Sequence, residues 1–346
     1  MRGKVGGQTI ETRVDSEAAR YYLASYLAGE RGDAALDQRI DRVYQSAPNG
    51  LPDRNELKQL SDEFSIDFAA LHLADRIARV PINRRFWDAF DRSLACTRRA
   101  FPEDRLSLPA AAGGYEVLFV PGFLYKRHSY TGADFAAPRL ALKRVGLARH
   151  FVETDEDGAI EANAELVATA VRQRAQGGRR LILVSASKSG PEVALALTRL
   201  GPAETGHVAA WISIVGTLQG TPLADNGLWN QMENLIGQVD IAGVESLTTT
   251  RSRERFRAFR IPEHVLVINY IGIPVTGSLS SWARAGFLEL KNYGPNDGLS
   301  LLSDLIIPRG LTLAELGRDH FLLDEEIGVR TIALAITVIR WLQNPL

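Results

Sequence analysis

A chain of 346 residues, with 45% apolar and 23% charged side chains, has the makeup of a globular protein with room for one core of about 200–250 residues and an extra segment. The formal net charge of −1 supplies no basic field for nucleic acid, and the single cysteine, Cys96, excludes an intramolecular disulfide and any cysteine-cluster metal site. No apolar leader core follows Met1, and the C-terminal run IALAITVIRWL is broken by Arg340, so the expectation is a soluble cytoplasmic protein, with leaderless export still open.

In chain order, residues 1–105 read as a helical N-terminal region. DSEAARYYLASYLAGE predicts a helix capped by Asp15, whose carboxylate would accept first-turn N–H groups. ALDQRIDRVYQ, the stretch from Asn55 to Arg79 and NRRFWDAFDRSLACTRR carry apolar residues at helical spacing, and 46–53 is a loop by its Pro, Asn and Gly. No chemistry-bearing motif stands out in this region.

From 106 to 346 strands and helices alternate. YEVLFV (115–120), RLILVSA (180–186), HVAAWISIV (207–215) and HVLVINYIGI (264–273) are apolar runs of strand length, with ARHFVE as a further candidate. Helices are expected near Pro138–Val145, over Glu161–Arg174, from Gly190 to Leu200 and from Glu325 to Leu342. Strands buried on both faces and separated by helices predict an α/β fold with a mainly parallel sheet flanked by helices. About fifty residues without a strand signal precede the 264–273 run, and a helical lid insertion is expected over 222–262. RSRERFRAFR (251–260) reads as a solvated helix face.

The segment LILVSASKSGPEVALAL passes from strand through a short turn into a helix. Aligned on a G-x-S-x-G nucleophile turn, it puts Ser187 at the nucleophile and Ser185 and Ser189 at the glycine positions. A plain serine-rich helix cap fits the same letters. Ser185-x-x-Lys188 matches S-x-x-K, but no S-D-N or K-T-G element accompanies it; Lys188-Ser189 lacks the upstream glycines of a phosphate loop.

A serine nucleophile needs a base, and the order Ser, acid, His leaves His264 and His320. His264 opens a strand. His320, in LGRDHFLLDEE before the final helix, stands where the base belongs. Asp297 in NYGPNDGLSLLSD is the candidate acid, with Asp304 behind it; Asp319 is too close in sequence to His320 to reach its ring. Asn296-Asp297-Gly298 is equally a turn signature. Oxyanion donors would be the backbone N–H groups of Lys188, following the serine, and Phe123, beside Gly122 in VPGFLY.

VPGFLY, SASKSG, SIVGTLQGTPLAD (213–225), VESLTTTRSRERF (244–256), GPNDGL and RDHFLL, in that order, resemble segments of the α/β-hydrolase superfamily, especially the bacterial triacylglycerol lipases. The likeness runs from Tyr115 to Leu323. It implies an α/β-hydrolase fold, a Ser187–His320–Asp297 triad, an ester substrate with an apolar acyl chain, and a lid compatible with peripheral lipid-surface contact. Pro121 replaces the family's His, Ser185 and Ser189 replace glycines, and Leu322 stands where many members carry an acidic calcium ligand, so neither metal nor cofactor is expected. Residues 1–105 have no counterpart in that family and are a candidate surface for a protein partner. A thioesterase or phospholipase would use the same apparatus; a catalytically inactive scaffold serving as a binding protein is the alternative of another class.

Overall fold

The computed structural model describes residues 1–46, 50–101, 106–225 and 240–344. The chain forms two compact units. One holds Met1–Arg84, Ile271–Leu305 and Thr312–Leu322; the other holds Arg85–Tyr270, Ile306–Leu311 and Leu323–Leu346.

The N-terminal region is not all helical. β1 (Arg2–Val5) and β2 (Gln8–Glu11) pair antiparallel. Between them Gly6 and Gly7 both take positive φ, 57° and 93°. Two consecutive residues with φ above zero are what a tight hairpin turn demands, and VGGQ is the sequence signal for it. Four helices follow: α1 (Glu17–Ala24), α2 (Ala34–Ser46), α3 (Arg54–Glu63) and α4 (Ile66–Arg79). The cap of α1 is Ser16 rather than Asp15: Ser16 Oγ accepts from Ala19 N at 3.0 Å. The helix-like stretch from Asn55 to Arg79 is two helices, because Ser65 leaves helical geometry and caps α4 by accepting from Phe68 N. Asp53 and Glu56 form a reciprocal capping box at the start of α3. The long helix α5 (Pro81–Ala100) opens on a proline at its first position, where no N–H is needed.

Among the described residues the main sheet has six strands in the order β4-β3-β5-β6-β7-β8. These are β3 (Tyr115–Val120), β4 (Ala148–Phe151), β5 (Arg180–Ala186), β6 (Val208–Ile214), β7 (Leu266–Ile273) and β8 (Leu311–Leu316). The pairs β3/β4, β3/β5, β5/β6 and β6/β7 are parallel. β8 was not expected. Its sequence, LTLAEL, is interrupted by Thr312 and Glu315, so it does not stand out as a continuous apolar run. Helices α6 (Ala136–Arg144), α7 (Ile160–Ala175) and α8 (Ser189–Arg199) are the crossovers between the parallel strands. One core gathers Leu118, Val120, Val167, Leu183, Val193, Trp211 and Val267 from β3, α7, β5, α8, β6 and β7. Burial on both faces explains why these strands read as continuous apolar runs.

Of the expected lid over 222–262, residues 226–239 lie outside the described residues. Its described parts are the short helices Pro222–Asp225 and Ile241–Glu245 and the helix Thr249–Ala258. Asp225 caps that last helix, accepting from Thr249 N at 2.8 Å and Thr249 Oγ1 at 2.6 Å. The helix is not a purely solvated face. Arg255 is buried, with its Nη2 2.6 Å from Glu161 Oε1 on α7 and its Nη1 3.1 Å from Ser246 O.

Candidate active site

The turn between β5 and α8 has the features that present a side chain above a parallel sheet. Ser187 takes φ +55°, the left-handed region that a residue with a Cβ enters only when its surroundings compel it. Those surroundings are hydrogen bonds on both sides of its peptide: Ser187 N donates to Ile214 O at 2.9 Å, and Ser187 O accepts from Gly190 N at 2.9 Å and Thr217 N at 3.1 Å. Val215, a β-branched residue, is also at positive φ, 41°, and donates to Tyr270 O at 2.8 Å. The loop after β6 is thus bent to receive the turn, with left-handed backbone at both Ser187 and Val215.

The two serines that stand in for glycines each have a bonded role. Ser185 is fully buried and its Oγ accepts from Trp211 Nε1 of β6 at 2.9 Å. Ser189 Oγ donates toward Val120 O at 2.8 Å and Ala186 O at 2.9 Å, and accepts from Ala186 N at 2.8 Å. Close backbone approach is moved one residue on: a Cβ on Gly190 would come within 2.7 Å of Gly216 Cα, and a Cβ on Gly216 within 2.2 Å of Ser213 Oγ.

Lys188 follows the serine at the start of α8. Its N–H has no backbone acceptor among the described residues. Its side chain is not at the surface: it is 2% exposed and pairs with Glu192, itself 1% exposed, one helical turn on. Glu192 Oε1 also accepts from Asn163 Nδ2 of α7 at 2.9 Å. Burial pushes the Glu192 carboxyl above its usual range, and the opposing Lys188 charge and hydrogen bonds pull it back. The i, i+4 spacing of Lys188 and Glu192 was visible in the sequence, but nothing there said that the pair is buried.

The segment after β3 reaches the same turn. Gly122 lets its backbone lie on the end of β5: a Cβ there would be 3.1 Å from Ala186 O and 3.3 Å from Ala133 Cβ. Phe123 follows, partly exposed. Leu124 then takes φ +55° and donates to Glu156 O at 3.0 Å. Glu156 Oε2 accepts from Lys126 N at 2.9 Å and Arg127 N at 3.0 Å. Glu156 thus holds this loop by its backbone carbonyl and its carboxylate.

The candidate acid and base lie in the other compact unit. His320 Nδ1 and Asp297 Oδ2 are 2.7 Å apart, and His320 N donates to Asp297 O at 2.9 Å. Asp297 is fully buried. Its second oxygen accepts from Leu299 N at 2.9 Å and Ser300 N at 2.8 Å, which fixes the carboxylate plane. The alternative acids are committed elsewhere: Asp304 to Arg54 of α3, and Asp319 to Ser280 N at 2.7 Å and Phe321 N at 3.1 Å. His264 does not open a strand: it sits in the turn before β7, with Nε2 2.9 Å from Thr205 O. Among the described residues no group of His, Cys, Asp and Glu is arranged to hold a metal ion, and no helix is long and apolar enough to cross a membrane.

No protein-family model and no curated protein matches the chain. Solved structures do. The metagenomic carboxyl esterase MGS0156 is 22% identical, with 70% of this chain and 78% of that one aligned at a TM-score of 0.56. The mature form of the Bacillus licheniformis lipase BlEst2 is 25% identical, with 60% and 84% aligned at a TM-score of 0.50. The order of the parallel strands, the strained turn after β5 and these likenesses agree: the fold is that of the α/β-hydrolase superfamily.

Proposed function

We propose that the protein is a serine hydrolase that cleaves carboxylic esters through an acyl-enzyme, with Ser187 as nucleophile, His320 as base and Asp297 as its orienting acid. The observation that carries this reading is the left-handed backbone of Ser187 at a strand-to-helix turn, a strain with no use in a plain helix cap. The His320–Asp297 pair supports it: a buried carboxylate on Nδ1 leaves Nε2 as the atom that takes the serine proton.

In the first step Ser187 Oγ attacks the ester carbonyl as His320 Nε2 accepts its proton. The Lys188 and Phe123 N–H groups stabilise the oxyanion, and His320 returns the proton to the leaving alcohol. In the second step His320 activates water against the acyl-enzyme. Asp297 holds the imidazole in the required tautomer and stabilises its charged form throughout. Thioesters and phospholipid esters are open to the same chemistry. The esterase and lipase among the structural neighbours favour an oxygen ester with an apolar acyl group.

The test is hydrolysis of p-nitrophenyl esters of increasing chain length by wild type and Ser187→Ala. The mutant is expected to lose turnover by at least about 10³-fold, and the optimum chain length sizes the acyl site. Equal rates in the two proteins would remove Ser187 from the mechanism. A wild type that neither turns over these esters nor reacts with a fluorophosphonate would support the inactive-scaffold alternative.

A further inference from the structure

We propose that Arg54, on α3 of the N-terminal region, is a positioning residue for the Asp297–His320 pair, so that residues 1–84 form part of the working apparatus. The proposal rests on the serine-hydrolase reading for its kinetic consequence, but its structural content stands apart from it.

The segment 294–305, which carries Asp297, is a closed loop. Asn296 bridges to Leu301, Leu302 N donates to Pro295 O at 3.0 Å, and Asp304 N to Leu301 O at 2.9 Å. Asp297 N donates to Ser300 O at 3.0 Å within the same ring, and His320 N docks on Asp297 O. The loop therefore moves as one piece, with Asp297 at one end and Asp304 at the other.

Asp304 is the end that is gripped. Its side chain is 1% exposed, and a charge at that depth is costly unless it is paired and hydrogen-bonded. Arg54 supplies it, with Nη2 2.5 Å and Nε 3.1 Å from Asp304 Oδ1. Arg54 is the first residue of α3, where the helix dipole disfavours a positive charge. Its placement makes sense toward Asp304 and not as a contribution to its own helix. The Asp53–Glu56 capping box holds that first turn rigid. At the entry to the loop, Gly294 has φ +125°, and a Cβ there would lie 3.7 Å from Lys58 Cα, so the α3 backbone passes directly over it.

A second anchor from the same region sits on the loop after β7. Asp67 of α4, fully buried, accepts from Thr276 N at 2.9 Å, Thr276 Oγ1 at 3.1 Å and Asp15 N at 2.8 Å. Four residues on, Ser280 N donates to Asp319 Oδ2, next to His320. The N-terminal helices thus hold the acid loop by Arg54 and the approach to the histidine loop by Asp67.

The test uses the full chain with Arg54→Met, Arg54→Lys and the neutralised pair Arg54→Met/Asp304→Leu. Two readouts are taken: kcat and KM on p-nitrophenyl butyrate, and the downfield proton resonance of His320 Nδ1–H. A displaced acid loop is expected to lower kcat on the order of 10- to 100-fold in Arg54→Met, with KM within about twofold. The Nδ1–H resonance should shift or broaden, and Arg54→Lys should fall between wild type and Arg54→Met. The double variant leaves no unpaired buried charge, so it should regain wild-type melting while kcat stays low. It serves as the deciding variant if Arg54→Met does not fold. Wild-type kcat with an unchanged Nδ1–H signal in the double variant would overturn the proposal and leave the ion pair a stabilising contact. If Ser187→Ala retains full ester turnover, it is the serine-hydrolase reading that fails, and the imidazole resonance still decides whether Arg54 positions the pair.

Discussion

The surroundings of Ser187 and those of Asp297 and His320 are built by different means. Around Ser187 the chain is short and local: β5, the turn and α8 follow one another without interruption, and strain at Ser187 and Val215 is balanced by backbone bonds to neighbouring strands. Around Asp297 and His320 the chain consists of loops, closed on themselves and tied by side chains from helices some 250 residues away in sequence. A strained turn between two packed elements tolerates almost no change in volume. A loop clamped by side chains tolerates changes in volume but not the loss of its polar partners.

The largest expected effect breaks the second region at its centre. Asp297→Asn keeps the shape but cannot hold His320 as a Nδ1–H donor in the same way, and kcat is expected to fall by about 10⁴-fold with little change in stability. Steady-state kinetics beside a thermal melt would check this; a loss of less than tenfold would point to another acid.

A smaller effect separates the regions by pH. Burial and the nearby Asp15 carboxylate push Asp67 up to about 6. The unfolded chain has this group near 3.9, so between about pH 4 and pH 6 the folded protein binds the extra proton. Asp67 therefore costs stability as pH rises through that window, by about 2 kcal/mol, and the cost is constant above it. The difference in unfolding free energy between wild type and Asp67→Asn should move by that amount from pH 4 to pH 7, in favour of the variant at the higher pH. A difference independent of pH would show that Asp67 titrates normally.

An effect of similar size concerns the turn that carries Ser187. Ser185→Gly is expected to destabilise by about 1–3 kcal/mol, because Trp211 Nε1 would be left buried without its acceptor. Denaturant unfolding measures it. A neutral or stabilising result would mean that Ser185 is a substitution of no structural weight, and would weaken the contrast between a turn built by specific bonds and one built by small residues alone.

Legibility followed the same division. The strands from β3 to β7 were readable because burial on both faces leaves continuous apolar runs, and the turn at Ser187 because it joins one such run directly to a helix. The residues Asp297 and His320 could be named from chain order, and Asp304 was the natural competitor. Only the ion pair with Arg54 shows why Asp304 is occupied elsewhere. The first hairpin went unread although Gly6-Gly7 announces it, since a four-residue strand carries too little alternation to be noticed. β8 and the burial of Arg255 had no comparable signal.

By itself the amino-acid sequence determined the alternation of strands and helices, the crossover pattern that makes the sheet parallel, and the positions of Ser187, Asp297 and His320 in the connections that follow. All of these follow from local periodicity, turn residues and the short reach of connections. Tertiary structure alone decided which serine carries backbone strain, which aspartate faces the imidazole, and that Lys188 and Glu192 pair out of water. Those outcomes depend on which distant groups arrive next to one another, and the free energy of a buried charge or a strained φ is set by that surrounding shell and not by the residues adjacent in the chain.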